Sequence, residues 1–176
     1  MVFNDLCQIV SLFHHESCQR AADSHQADLD AQLLYTEHRL VKFQSVEISA
    51  ENEVQRSFCV ACLIFISLFL REMPSPVLLN EALTTRLRET MGNIDRISWT
   101  GAPPAIMLWM LFIGGVVALG RPERSWFVLH LSKLEISLDF RDWDSAKASL
   151  QSVLWVYKIP EESFKVLCGE VITLKI

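Results

Sequence analysis

The chain has 176 residues, of which 51% are hydrophobic and 21% are charged, and its formal net charge is −5 at pH 7. This length and composition suit a single folded domain with a substantial core, and they argue against a disordered chain. The negative net charge argues against a nucleic-acid-binding surface, because such surfaces carry an excess of Lys and Arg and here the basic residues are scattered.

Apolar residues recur at helical spacing throughout the first half of the chain. We expect a first helix after Asn4, a second that begins at Asp28, and a third that is capped by Ser49 and continues to Leu70. The Pro-Ser-Pro sequence at 74–76 ends that segment. Its Ser and second Pro supply the cap and first turn of a fourth helix, which the Gly-Asn pair at 92–93 closes.

The second half of the chain predicts a helical hairpin. After a loop at 97–103, Pro104 begins an almost wholly apolar helix that extends to Leu119. Gly120 suits a helix C-terminus and Pro122 suits the first turn of the next helix. The connection is therefore short, and the two helices should pack against each other.

Two further helices are predicted near the C-terminus. Asp142 or Asp144 caps the first of them, whose apolar spacing continues to Tyr157, and Pro160 begins the last helix. No segment shows the two-residue alternation of a strand. The sequence thus predicts one all-α domain over residues 1–176, an irregular arrangement of about seven or eight helices.

The cysteines offer a redox or zinc site at first sight. Cys59 and Cys62 form a CxxC pair, but the pair lies inside an apolar helical segment with no second CxxC and no neighbouring His. We therefore interpret both as core thiols. The five cysteines are odd in number, and no signal peptide precedes them, which predicts reduced thiols in an intracellular protein.

Other patterns of catalytic or binding residues are weak. His14, His15 and Cys18 give an i, i+4 metal-ligand spacing without a defined fourth ligand. The Gly115–Gly120 segment lacks the Lys and the Ser or Thr of a phosphate loop, since Arg121-Pro122 follows it. No nucleophile elbow, HExxH sequence or paired-carboxylate arrangement is present. We expect no enzymatic activity and no cofactor bound by this chain.

A membrane-associated helical protein, anchored through the apolar segment 102–120, is the alternative interpretation. Trp99 and Trp126 flank this segment as interfacial aromatic residues would. A membrane-spanning helix needs about 20 residues to cover about 30 Å. The helix from Pro104 to Leu119 covers only about 24 Å at a rise of 1.5 Å per residue, so a buried core helix fits it better. Solubility without detergent separates the two interpretations.

Aromatic and apolar residues form an ordered pattern around the predicted hairpin. Its parts are Leu108-Trp109-x-Leu111-Phe112-x-Gly114-Gly115, Gly120-x-Pro122-Glu123-Arg124-x-Trp126-Phe127-Val128, Trp143 with Leu150, Val153, Leu154 and Trp155, Glu170-Val171, and the earlier Leu33–Leu40 segment. This pattern resembles the fungal-specific transcription factor domain, the regulatory region downstream of the zinc binuclear cluster in fungal regulators. The likeness is strongest over residues 100–157.

The resemblance implies a regulatory role in transcription, a nuclear location, and action through protein partners, self-association or a small-molecule effector. The family's DNA-binding module is a six-cysteine zinc cluster, which the five cysteines of this chain cannot supply. We therefore expect no direct nucleic-acid binding by this chain, and zinc only if an upstream zinc-cluster module exists. The pattern leaves open whether the chain is a fragment, a truncated product or a stand-alone regulator. It does not specify the target genes, the effector or the oligomeric state.

Two packing predictions follow from the same pattern. Five residues should lie in one buried cluster because they recur on successive helices with short connections: Trp109, Phe112, Trp126, Leu150 and Leu154. Gly114 and Gly115 should mark a close helix crossing, since glycines inside a helix each cost about 0.5–1 kcal/mol relative to alanine unless packing offsets the loss.

Overall fold

Seven α-helices account for most of the chain that the computed structural model describes, which is residues 23–44, 53–70, 77–94, 103–138, 142–156 and 159–174. In chain order they are α1 (Asp23–Gln44), α2 (Glu53–Phe65), α3 (Val77–Asn93), α4 (Pro104–Val117), α5 (Arg124–Leu138), α6 (Trp143–Gln151) and α7 (Glu161–Thr173). A short π-helix, Ile66–Leu70, continues α2. These ranges contain no strand, so the prediction of an all-α fold is confirmed.

Helix α4 forms the centre of the domain because its sequence is apolar on every side. Each residue from Met107 to Gly115 is buried, and α2, α3, α5, α6 and α7 all pack against this helix. Pro104 occupies the first turn, as predicted, where a missing backbone N–H is tolerated. Helices α4 and α5 form the predicted hairpin.

The α4–α5 turn, residues 118–123, depends on one glycine conformation. Gly120 has a φ of 76°, which lies in the left-handed region that a side chain disfavours. Pro122 lies in this turn rather than in the first turn of α5, because the Arg124 N–H donates to the Arg121 carbonyl oxygen at 3.1 Å. Helix α5 therefore begins at Arg124, two residues later than predicted.

Two other helix boundaries differ from the prediction. Helix α1 begins at Asp23 rather than Asp28, so it extends five residues before the start that the apolar pattern predicted. Helix α6 is capped by Asp142, as expected, but ends at Gln151 rather than Tyr157. Beyond the end of the helix, the carbonyl oxygen of Leu154 accepts a hydrogen bond from the Trp109 indole.

Several sequence predictions lie outside the described residues. They are the first helix after Asn4, the Ser49 and Ser75 caps, and the metal-ligand spacing at 14–18. Most of the predicted loop at 97–103 lies outside them as well.

Two helical stretches of the described chain are strongly apolar. The Glu53–Leu70 stretch is long and apolar enough to cross a membrane, but 61% of it is buried inside the domain. Helix α4, which contains most of the segment proposed above as an anchor, has only 14 residues. A lipid-facing anchor needs exposed apolar side chains, whereas those of α4 are covered by five other helices.

Candidate functional site

The residues of the ordered sequence pattern lie in or against one core. Its fully buried members are Leu108, Trp109, Leu111, Phe112, Phe127, Leu150 and Leu154, and Gly114 and Gly115 are buried within α4. Trp126 is only partly buried and packs at the margin of this core. Its ring stacks on His130, with 3.9 Å between the ring centroids. The structure thus brings four of the five expected cluster residues together in the interior and places Trp126 at the edge.

Trp109 joins α4 to the irregular segment after α6. Its indole N–H donates to the Leu154 carbonyl oxygen at 2.8 Å in a fully buried position. Its ring also lies 5.6 Å from the Phe58 ring and 5.5 Å from the Phe65 ring, both on α2. One side chain therefore fixes α2, α4 and the 154 region relative to one another.

A second aromatic cluster, which the sequence did not predict, surrounds Phe164 on α7. The Phe164 ring is stacked on Phe112 at 6.2 Å and contacts Trp155 edge-on at 5.5 Å. Phe69 and Trp143 lie 6.3 Å from the same ring. Sequence spacing could not reveal this cluster, because its five members come from five separate segments.

Gly114 and Gly115 lie where α4 meets its neighbours at the closest range. A Cβ atom on Gly114 would lie 2.5 Å from Cζ of Phe127 and 2.9 Å from Cδ2 of Leu87. A Cβ atom on Gly115 would lie 2.6 Å from Cδ2 of Leu167. Helices α3, α5 and α7 therefore approach α4 at these two positions, where only hydrogen atoms leave room.

Each charged residue of the α4–α5 turn contacts α3. Arg121 forms an ion pair with Glu81, with 3.2 Å between Nη2 and Oε1. Thr85 donates its hydroxyl hydrogen to Glu123 Oε1 at 3.5 Å. These polar contacts hold the turn against α3. Gly114 and Gly115 allow the hairpin to pack closely against the core.

Arg124, the first residue of α5, donates three hydrogen bonds in this region. Its Nε and Nη2 atoms donate to the two carboxylate oxygens of Glu170 on α7 at 2.9 and 2.8 Å. Nη1 donates to the Gly115 carbonyl oxygen at 2.5 Å, in the last turn of α4, where carbonyl groups lack an intrahelical partner. Both charged residues belong to the sequence pattern, but the sequence did not predict that they pair.

Three concavities of about 530, 730 and 620 Å³ open around the α4–α5 turn. The first is lined mainly by apolar side chains of α4 and of the π-helix, with Asn80 and Arg121 as its polar groups. π-Helical turns occur often at functional sites. The second lies between the turn and α7, and the third lies beside Trp126. Three depressions of this size therefore adjoin the turn.

The described residues show no cluster of side chains suited to metal binding. No group of three His, Cys, Asp or Glu side chains converges among them. The CxxC cysteines, Cys59 and Cys62, are buried core thiols. Burial raises the pKa of Cys59 to about 11, which leaves it protonated and unreactive at neutral pH.

Comparison with known proteins gives one family match. A family model described as the fungal specific transcription factor domain matches residues 2–153. The match includes α1 to α6 and the α4–α5 turn, and it ends before Phe164 and Glu170. Neither the curated proteins nor the solved structures give a significant match.

Proposed function

The chain belongs to the fungal-specific transcription factor domain family, and on that premise we propose that it is a regulatory domain that works through protein contacts. Membership gives the chain a transcription-regulator-like role. We propose that it acts in the nucleus. It does so without catalysis and without direct contact with DNA. The family match over 152 consecutive positions, residues 2–153, is the observation that carries the proposal.

The contacts of the sequence pattern support this mode of action. Trp109, Phe127 and the two glycines of α4 are used for packing, and Arg124 is used for a salt bridge between helices. These residues build a rigid scaffold, so the surfaces outside the core are left for partners. A scaffold of this kind suits a domain that presents a face to another protein.

Attachment to an unrelated DNA-binding module tests the regulatory role. The full chain, fused to such a module and directed to a reporter promoter, should change reporter transcription relative to the module alone. A Trp109→Ala fusion, which loses the central core contact, is the control and should lose the effect. Reporter output identical to that of the module alone, at equal nuclear abundance, would contradict the proposal.

Response to a small-molecule effector is a second candidate, which the first concavity favours. Its mostly apolar wall and the Arg121 guanidinium suit a ligand with an apolar body and an acidic group. Octanoate should therefore raise the melting temperature more than octanol does, and Arg121→Gln should remove the difference. Equal shifts for the two probes in the parent chain would contradict this candidate.

A further inference from the structure

The arginine side chains around the α4–α5 turn differ in how they are partnered. Arg121 is paired with Glu81, and Arg124 is paired with Glu170. Arg88 on α3 lines the third concavity and is partly buried, and its Nε atom is buried with no hydrogen-bond partner among the described residues. The Arg88 guanidinium is thus partly withdrawn from water without a bonded carboxylate in the described chain, an arrangement that costs free energy.

The environment of Arg88 favours a single carboxylate as its ligand. A guanidinium that is partly desolvated attracts a carboxylate more strongly than one in bulk water, and it can hold both carboxylate oxygens at once. Glu123 lines the same concavity, where it accepts a hydrogen bond from Thr85. Its negative charge would repel a further acidic group. One acidic group therefore fits this concavity better than an acidic run.

Apolar surface continues from Arg88 across the turn. Leu129, which is 43% exposed, and the partly buried Trp126 line the third concavity with Arg88. Pro122 and Ser125 line both the third concavity and the second, so the two adjoin. Leu174, which is 56% exposed, lines the second. Each concavity alone has the volume of a small-molecule site, so the adjoining pair suits a longer ligand such as a polypeptide segment.

We propose that these two adjoining concavities, which extend from Arg88 across Pro122 to Leu174 and which we call the turn groove, bind a short segment of a partner protein. The segment has one acidic side chain, held by Arg88, beside large apolar side chains that contact Leu129 and Leu174. A basic segment would meet Arg88 with like charge, and a purely apolar one would leave the guanidinium without a partner. This inference rests on the proposed function, since it names the protein contact through which the regulatory domain works.

Selection of a displayed library of random short peptides on the full chain tests the chemistry of the occupant. The recovered sequences should carry one acidic residue beside large apolar residues. A recovered peptide, labelled with fluorescein, should bind the full chain in fluorescence anisotropy. Recovery of only basic or uncharged sequences, or of no sequence, would overturn the proposal.

Variants of α3 test the position of the carboxylate. Arg88→Gln should weaken binding of the recovered peptide by about tenfold or more, because a charge-assisted pair is lost. Its melting temperature should match that of the parent chain, since Arg88 has no bonded partner among the described residues. Arg86→Gln is the matched control, because Arg86 is exposed on the same helix and lines neither concavity. Equal affinities for the two variants would overturn the role of Arg88.

A charge exchange separates direct contact from an indirect effect. A peptide with lysine in place of its acidic residue should bind the Arg88→Glu variant more tightly than it binds the parent chain. Failure of this exchange would overturn direct pairing with Arg88. The reporter assay fails separately: an active fusion without peptide binding removes only the turn groove, whereas peptide binding by a chain that is inactive in the reporter removes only the regulatory role.

Discussion

Trp109 shows how much a single residue contributes when ring packing and a hydrogen bond coincide. It is 1% exposed, so Trp109→Ala should lower the free energy of unfolding by about 3–5 kcal/mol. Trp109→Phe keeps an aromatic ring but leaves the buried Leu154 carbonyl oxygen without its donor, which should cost about 1–3 kcal/mol beyond the lost ring area. Denaturant midpoints measure both losses. Trp126→Phe is the control, and a Trp109→Phe loss no larger than that of the control would show that the hydrogen bond contributes nothing.

The CxxC cysteines provide a second prediction at the level of the residue. Because the pKa of Cys59 is raised to about 11 and Cys62 is fully buried, neither should react with a thiol reagent at neutral pH in the folded chain. The measurement uses a Cys7→Ser, Cys18→Ser variant, in which Cys59, Cys62 and Cys168 are the remaining thiols. Reaction should be slow in buffer and rapid in denaturant. Rapid reaction in buffer would show that the α2 thiols are accessible.

At the level of the helix, the two glycines of α4 have an internal control in α7. Gly114→Ala should destabilise by about 1–3 kcal/mol, because its Cβ would meet the buried Phe127 ring. Gly115→Ala should not stabilise, and Gly115→Leu should destabilise through Leu167. Gly169→Ala, by contrast, should stabilise by about 0.5–1 kcal/mol, since Gly169 is helical and nothing lies within 4 Å of its Cβ position. Thermal unfolding compares the four variants, and a stabilising Gly114→Ala would contradict close packing.

The salt bridge between α5 and α7 is the next prediction at this scale. The Arg124 side chain is 11% exposed and the Glu170 side chain is 39% exposed, so solvent screens the pair only in part. A double-mutant cycle with Arg124→Met and Glu170→Gln should give a coupling of about 1–2 kcal/mol. The exposed Lys165–Glu162 pair within α7 is the control and should give little coupling. Equal coupling for the two pairs would show that burial of Arg124 adds nothing.

The sequence predicted the features that depend on neighbouring residues. It did not predict the features that depend on residues far apart in the chain. Local features gave the start of α4 at Pro104, the turn at Gly120 and the Asp142 cap, because each depends on residues within one helical turn. The end of α6 was predicted wrongly, since the apolar spacing continues to Tyr157 whereas the helix ends at Gln151. The Leu154 carbonyl oxygen beyond it is bonded to Trp109, 45 positions away. The Arg124–Glu170 pair joins residues 46 positions apart, and nothing local to either residue indicates the other.

For the whole molecule, the net charge of −5 leads to a prediction about nucleic acids. The isolated chain should show no salt-sensitive nanomolar binding to a DNA duplex, because specific binding depends on phosphate contacts from a basic surface. Fluorescence anisotropy with duplexes of varied sequence at low and moderate salt measures this. The same chain fused to an unrelated DNA-binding module is the positive control. Tight binding that weakens steeply with added salt would contradict the prediction.

The long-range hydrogen bonds of the core have a consequence for synthesis on the ribosome. The hydrogen-bond acceptors of Trp109 and Arg124 lie 45 and 46 residues further along the chain and are synthesised later. At a translation rate of about 5–20 residues per second, that interval is roughly 2 to 9 seconds. During it, the apolar surface of α4 has emerged while α6 and α7 have not. The nascent chain therefore passes through a period in which the faces of α4 that α6 and α7 cover are still open to solvent, and chaperone binding to these apolar faces in that interval should raise its yield.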